Sequence, residues 1–581
     1  MATPQKSETT KFDWNTWQRF VTLARPFFIS EIKVTVWGLI FLLVGLSILV
    51  SFLNVKIADL VSHYLTALTK REEKDFYRYL LWYALVIIVT TPCAVMYRFT
   101  EERLALLWRR WLSNHFLSAY FKTHSYYRIN QEKRIDNPDQ RIADEIRSFC
   151  STSLSFLLIF SSAVINLFLW SYKLWSISAG LTFFTFFYAF FGSFMTMLIG
   201  GRLVALNFTQ LRKEADFRYG LIHVRDNSES IAFYRGEDRE AVTVRQRLRD
   251  ALRNLNFLIA WHRNLGFFTT GYDYFKGVLP VIIVAPLYLH GEIEIGVVTL
   301  ATTAFGWVLG ALSLIVIQFE RLSAFAASIA RLGTLWEEMQ IGDSVCEWPS
   351  DKKSWIEIVP GAELEFQGVT VRTPNQNRAL VKDLSFTCRV GNPLLITGAS
   401  GVGKTSLLRA VAGLWTEGAG RIVRPGLGEI VFVPQRPYMV LGSMRNQLRY
   451  SIKGDISDGA LVDALSRVGL GELLSRVGGF EAELDWPNVL SLGEQQRVAF
   501  ARVLLAKPSW VFLDEASTAL DAENEKKMYE LLRGVTNNYV SIGHRATLFN
   551  FHATVLELKG EGGWEVREVS RVDKTQSDLE C

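Results

Sequence analysis

The sequence predicts a multidomain chain, a six-helix α transmembrane domain followed by an α/β P-loop NTPase domain. Three observations predict it. Six apolar runs, each long enough to cross a bilayer, lie before residue 320. A Gly-rich phosphate-binding pattern follows a strand-like run at 393–397 and opens a helix. The composition averages two solvents: the 581 residues are 49% hydrophobic yet 21% charged, with mean hydropathy +0.15. That content excludes a disordered chain. The formal charge of +5 divides into about +8 over residues 1–340 and about −3 over 341–581. Because the basic residues lie between apolar runs, they mark cytoplasmic loops and exclude a nucleic-acid-binding groove.

The chain opens without a signal-peptide layout. FDWNTWQRFVTLARPFF (12–28) mixes aromatic and basic residues. It reads as an amphipathic elbow helix at a membrane surface, within residues 1–33, that Pro26 ends or kinks. The spans follow at 34–55, 78–99, 151–170, 177–200, 265–289 and 295–318, within a domain of residues 34–340. SYKLWS separates the third from the fourth and HGEIE the fifth from the sixth, which makes two hairpins. The long connections 100–150 and 201–264 carry most of the basic residues, so they face the cytoplasm together with both termini. RLALLWRRWLSNHFLSAYF (103–121) keeps Leu104, Leu107, Trp108 and Leu112 on one helical face, so the spans run on as cytoplasmic stalks. Between stalks, after Asp136, the Asn137, Pro138 and Asp139 sequence breaks the helix. Asp139 is placed to cap a short transverse helix, a docking element for a cytoplasmic partner.

Charge inside the spans is sparse. Asp273 and Lys276 lie three apart on one helical face. They are candidates for a substrate- or proton-contacting site, or for a self-neutralising pair that aids assembly. Glu101 and Glu102, at the end of the second span, read as solvated or paired with Arg98 and Arg103. The abundant Phe, Trp and Tyr of the spans suit an amphipathic cargo and equally suit packing against lipid. The five cysteines are scattered, with no C-x-x-C pair. That excludes a disulfide framework and fits a reducing compartment.

DSVCEWPSDKKSW (343–355) is polar and reads as a linker over 341–360, before a second domain of residues 361–570 and a polar tail at 571–581. In that domain GASGVGKT matches G-x-x-x-x-G-K-[ST]. Gly398, Ala399, Ser400, Gly401, Val402 and Gly403 let backbone N–H groups close around phosphates at a helix N-terminus. Lys404 reaches the β- and γ-phosphates, Thr405 offers an oxygen to Mg²⁺, and Ser406, next on the helix, completes the ATP-binding set. WVFLDEAS (510–517) ends a buried strand in two carboxylates. Asp514 is placed to hold Mg²⁺ and Glu515 to polarise an attacking water. Gln435 follows the strand of VFVPQRPYM, where its amide can contact Mg²⁺ or water. Ser491 caps a helix in VLSLGEQQRVAFARVLL, a second anion-binding helix end without its own lysine. His544 ends the strand of VSIGHRAT and can reach a γ-phosphate.

In this order the motifs resemble the ATP-binding cassette (ABC) transporters over nearly the whole chain. The resemblance rests on GASGVGKT, Gln435, LSLGEQQ (490–496), VFLDE, STALD (517–521) and His544. It implies an exporter-type ABC fold with domain-swapped stalks, and a half-transporter whose two copies pair as a homodimer and sandwich two ATP. The signature residues Ser491, Leu492, Gly493 and Glu494 would then serve the partner's ATP, and Asp521 would cross the interface. Leu492 and Glu494 replace the residues usual at those positions, whereas Ser491 and Gly493 are kept. Thr373 stands where the family usually places an adenine-stacking aromatic, so the adenine contact stays open.

IDNPDQRI (135–142), ESIAFYRGE (229–237) and PQRPYMVLGSMRNQL (434–448) are similar to the SbmA/BacA-like and YddA-like bacterial branch, which also holds the peroxisomal subfamily D half-transporters. This implies that 135–142 is a coupling region, that Glu229 touches the cassette, and that the cargo is a peptide-like, cobalamin-like or long-chain acyl compound. It also implies a bacterial inner membrane. The alternative is an ATP-gated channel or sensor that uses the cassette as a switch.

Overall fold

A computed structural model describes residues 13–132, 135–314, 318–344, 355–373, 378–450, 452 and 454–569. Met1–Glu347 and Trp348–Cys581 form separate units, the first helical and the second carrying every described strand. Most of the expected linker and the whole expected tail lie outside the described residues.

Helix α1 (Trp14–Ile29) starts at Asp13, whose Oδ1 accepts from the Thr16 N–H at 2.8 Å. The helix does not end at Pro26; it runs on to Ile29. The hydrogen bond that proline forfeits is offset by burial. Leu23, Ala24 and Phe27 are enclosed, and Phe27 stacks on Trp108 at 5.4 Å. Trp14 and Trp17 stay exposed on the other face.

The long helices follow as α2 (Lys33–Lys70), α3 (Glu73–Phe121), a short α4 (Ser125–Glu132), α5 (Pro138–Ile177) and α6 (Ala179–Asp226). Then come α7 (Ser228–Tyr234), α8 (Glu237–Leu289), α9 (Ile295–Leu312) and α10 (Phe319–Ser344). Among the described residues, six of these are long and apolar enough to cross a membrane, by length and composition. At about 1.5 Å per residue, α3, α6 and α8 are each more than twice the length of a hydrocarbon core of about 30 Å. They therefore continue well beyond it.

Three local expectations are corrected. SYKLWS is not a loop. Helix α5 continues through it because Trp170 and Leu174 are fully buried there, and Ser178 alone separates α5 from α6. Ser178 is extended (φ −157°, ψ 119°), and its hydroxyl accepts from the Leu181 N–H at 3.3 Å as the N-cap of α6. Asp139 is not a cap. Asn137 takes that position at φ 44° without a side-chain bond, Pro138 is the first helical residue, and Asp139 sits in the first turn. No separate transverse helix follows either, because Pro138 begins α5 itself, with a π turn at Arg141–Glu145. Arg141 pins that turn. It is buried, bonds the Arg331 carbonyl at 2.8 Å and Thr334 Oγ1 at 3.0 Å, and pairs with Asp136. The Arg141 hydrogen bond holds the Asp136 carboxyl below the usual carboxylate range. The short helix between stalks is instead α7, which carries Glu229 in its first turn.

The second unit has two sheets. One is ordered β1 (Glu357–Pro360), β5 (Gly418–Arg424), β2 (Leu364–Arg372), β3 (Ala379–Cys388), and is antiparallel except for the β1–β5 pair. The other is ordered β10 (Trp564–Glu568), β9 (Thr554–Leu558), β4 (Leu394–Gly398), β8 (Tyr539–Ile542), β7 (Trp510–Asp514), β6 (Ile430–Val433). Five neighbouring strands of this sheet are parallel. They are short and largely apolar because both faces are covered, one against β2, β3 and the residues 407–411, the other against helices. The register aligns Ile396 with Ile542, Asp514 with Ile542, and Val433 with Leu513, so four strands end level at one carboxyl edge.

Candidate functional site

Four loops leave that edge, and each brings at least one predicted residue. β4 passes into Gly398–Gly403 and then α11 (Lys404–Val411). Gly398 has φ 132°, and a Cβ there would stand 2.3 Å from the Leu558 carbonyl oxygen, so only glycine lets the loop leave the strand. Ala399, Ser400 and Gly401 are exposed, while Val402 and Ser406 are partly covered. Lys404 is only 6% exposed and folds back over its own loop. Its Nζ donates to the carbonyls of Gly398 at 2.8 Å and Ala399 at 3.0 Å. Burial pulls its ammonium below the usual lysine range, against the opposing pull of Glu515 and Asp514.

Thr405 Oγ1 donates to Asp514 Oδ1 at 3.1 Å. The Asp514 carboxyl is raised, by burial first and by its neighbour Glu515, although the Thr405 bond opposes this. A half-buried carboxylate beside a second one and a hydroxyl is a hard-oxygen donor set that fits a divalent cation. Glu515 stands at φ 49°, the left-handed region, with its N–H donating to the Ile542 carbonyl at 3.1 Å. Its Oε2 accepts from Gln435 Nε2 at 2.8 Å, and its Oε1 lies 3.6 Å from His544 Nε2, just beyond hydrogen-bond reach. The side chains expected to act on water, Gln435 and Glu515, and on the γ-phosphate, His544, thus converge from β6, β7 and β8.

The signature segment lies at the N-terminus of α16 (Leu492–Ala506), after α12 (Met444–Arg449), α13 (Asp458–Arg467), α14 (Leu473–Val477) and α15 (Trp486–Val489). Ser491 is its N-cap in a reciprocal capping box. The Glu494 N–H donates to Ser491 Oγ at 3.3 Å, and the Ser491 N–H to Glu494 Oε2 at 2.9 Å. Glu494 also pairs with Arg476 at 2.7 Å, which holds its carboxyl low. This accounts locally for the acid at that position. Leu492 is exposed, and a Cβ on Gly493 would stand 3.1 Å from the Ala519 carbonyl oxygen. Asp521 is the exposed N-cap of α17 (Ala522–Arg533), its carboxyl lowered first by the Asn524 backbone N–H. The Thr373 N–H donates to the Arg378 carbonyl at 3.0 Å and the Arg378 N–H to Thr373 Oγ1 at 3.3 Å; the four residues between them lie outside the described residues.

Two positioning residues escaped sequence reasoning. Gln496 is fully buried and spans two loops, donating to the Gln435 carbonyl at 3.1 Å and accepting from the Ala519 N–H at 3.1 Å. Glu525 is fully buried and accepts from Ser517 Oγ at 2.6 Å and Thr547 Oγ1 at 2.5 Å. Arg545 adds a contact to Glu525 at 3.4 Å and bonds the carbonyls of Leu520 and Thr518. The segment after Glu515 and the segment after His544 are therefore tied to one carboxylate. The signal for Glu525 was its place four residues after Asp521, on the buried face of α17.

In the membrane unit, Asp273 is exposed and Lys276 half-buried, and they form no ion pair with each other. Tyr272 turns inward to stack on Tyr188 at 4.2 Å, which rotates Asp273 outward. Glu102 is exposed as expected, but Glu101 faces a cavity between helices rather than bulk water. Among the described cysteines, Cys93, Cys150 and Cys388 are free thiols.

Comparison with known proteins fits this geometry. Residues 23–289 match the ABC transporter transmembrane region 2 family, and residues 381–518 match the ABC transporter family. An uncharacterised ABC transporter ATP-binding protein of Synechocystis sp. is 44% identical over 541 residues, 92% of this chain and 82% of that one. ABC transporter D family member 2, chloroplastic, of Arabidopsis thaliana is 36% identical over 97% of this chain and 90% of its own length. The lysosomal cobalamin transporter ABCD4 of Homo sapiens is 29% identical over 97% of this chain and 98% of its own. Among solved structures, a bacterial Atm1-family ABC exporter with ATP bound has a TM-score of 0.71 at 18% identity, covering 94% of this chain and 98% of that one. By its relatives and by its site, the chain belongs to the ABC transporter family, as a multi-pass membrane protein with one transmembrane region fused to one ATP-binding cassette.

Proposed function

We propose that the chain is an ATP-hydrolysing transporter that moves an amphipathic solute across a bacterial inner membrane, working as a homodimer whose two cassettes enclose two ATP and Mg²⁺. The observation that carries this reading is the convergence of Gln435, Glu515 and His544 on one point, in a chain that also carries six spanning helices. ATP supplies the phosphoryl group whose transfer to water drives the cycle.

Each residue has a task. The backbone N–H groups from Gly398 to Gly403 hold phosphate oxygens, and Lys404 turns from its own carbonyls toward them. Thr405, Asp514 and Gln435 hold the cation. Glu515 accepts a proton from water, and His544 donates to phosphate oxygen. In the homodimer, Ser491, Leu492, Gly493 and Glu494 close the partner's site and Asp521 lies at the interface. Asp136, Asn137, Pro138, Asp139 and Glu229 carry the motion to the spans. The exposure of Phe233 and Tyr234 beside Glu229, at 79% and 88%, supports a docking role for α7. Both termini and the cassette are cytoplasmic.

Similarity to a lysosomal cobalamin transporter favours cargo of the cobalamin-like class among the peptide-like, cobalamin-like and long-chain acyl candidates. The test is transport into reconstituted vesicles of known orientation, with a peptide, a corrinoid and an acyl-CoA in parallel. ATP-dependent flux of one of them, abolished in Glu515→Gln, is the expected result. Flux that persists in Glu515→Gln would point to a gated channel instead.

A further inference from the structure

His544 is exposed, so its own packing does not fix it. A second histidine, His552, lies behind it and is buried. Tyr529 and Tyr539 stand edge-on to the His552 ring, 5.7 and 5.2 Å away. Its Nδ1 lies 2.7 Å from the Leu548 carbonyl oxygen, and its Nε2 lies 2.8 Å from Ser541 Oγ. A carbonyl only accepts, so Nδ1 carries the proton and Nε2 accepts from the Ser541 hydroxyl. Ser541 Oγ accepts in turn from the Tyr529 hydroxyl at 3.1 Å. Burial pushes the pKa of His552 down to about 4, so the ring is neutral and keeps both roles at neutral pH. The two anchors straddle His544. Ser541 belongs to β8, just before it, and Leu548 to the 3₁₀ turn Ala546–Phe551, just after it. The chain between them has no slack: a Cβ on Gly543 would stand 2.3 Å from Leu548 Cδ1. Ile542, next to Ser541, supplies the carbonyl that takes the Glu515 N–H.

We propose that His552 is a positioning residue for ATP hydrolysis: it fixes the backbone on both sides of His544, and so sets that imidazole against Glu515 and the γ-phosphate. Being enclosed, it acts through His544 and not on nucleotide. An apolar ring of similar size would fill the same space. What the imidazole adds is two hydrogen bonds, and both close on the segment that bears His544. The proposal rests on the hydrolysis reading of Glu515 and His544, and adds what holds the second of them in place.

Two measurements on the full-length protein in lipid nanodiscs test it. The first is steady-state ATPase activity. His552→Phe keeps a buried ring and loses both bonds, and Ser541→Ala removes the hydroxyl from which Nε2 accepts. Each should lower kcat about tenfold with the KM for ATP little changed. In a His544→Ala background, His552→Phe should lower the residual kcat no further, because residues that act through one another are not additive. The second is the ¹⁵N spectrum of histidine-labelled protein, which needs no turnover. The native protein should show a neutral ring protonated at Nδ1 that disappears in His552→Phe. The His544 resonance should be sharp in the native protein and broadened in both variants. Unchanged kcat in both variants, losses that multiply in the double variant, or a His544 resonance equally sharp throughout would overturn the proposal. Absence of native turnover would remove the hydrolysis reading alone, and the His544 line shape would still decide the positioning.

Discussion

Gln435 Nε2 donates to Glu515 Oε2 at 2.8 Å, although the two residues are 80 positions apart. The bond holds the carboxylate at the carboxyl edge of the sheet, in a left-handed backbone that few non-glycine residues adopt. A residue kept in that conformation and oriented by an amide is poised rather than merely exposed.

Glu515→Gln keeps the shape and removes the base. Phosphate release should fall at least about 100-fold, with ATP binding retained. Trapped nucleotide after gel filtration checks the second half. Undiminished turnover would remove Glu515 from its assigned role.

Glu525→Ala should act without touching nucleotide. It leaves the Ser517 and Thr547 hydroxyls unpartnered and releases Arg545, a loss of about 1–3 kcal/mol. The melting temperature and kcat should fall together, with the KM for ATP little changed. A lower kcat at unchanged melting temperature would count against the hub.

Glu494→Ala removes the capping box and the Arg476 pair, and should cost about 1 kcal/mol of stability. The Arg476 hydrogen bond depresses the Glu494 carboxyl, so its stabilisation is complete above the ordinary glutamate range and is lost as pH falls through the lower folded value. Melting temperature against pH should therefore show a shallower acid limb in Glu494→Gln than in the native chain.

Thr373→Tyr would restore a ring where the family usually has one. Stacking contributes about 0.5–1.5 kcal/mol, so the Kd for ATP should tighten by up to about tenfold. Titration with ATP checks this, and an unchanged Kd would show that adenine does not reach Thr373.

The spans and the nucleotide motifs were legible because each rests on a local pattern. Length and hydropathy mark α2, α3, α5, α6, α8 and α9, and the strand–loop–helix order marks Gly398 to Ser406. What the sequence hid depends on partners distant along the chain. SYKLWS reads as polar, yet Trp170 and Leu174 bury it as helix. Asn137 and Pro138 read as a break before a small helix, yet Arg141 fastens that turn to α10 and makes it the first turn of a span. Gln496 and Glu525 reveal themselves only when loops 60 or more residues apart, or segments flanking different strands, are brought together.

The single extended residue Ser178 limits how the third and fourth spans can move. To slide one helix past the other by a turn requires about 5.4 Å of chain, and one extended residue supplies about 3.3–3.6 Å. The hairpin of α5 and α6 can scissor about that point but cannot shear. Any change in the angle between its legs is magnified with distance from the pivot, where α6 reaches Asp226 and α5 begins at Pro138.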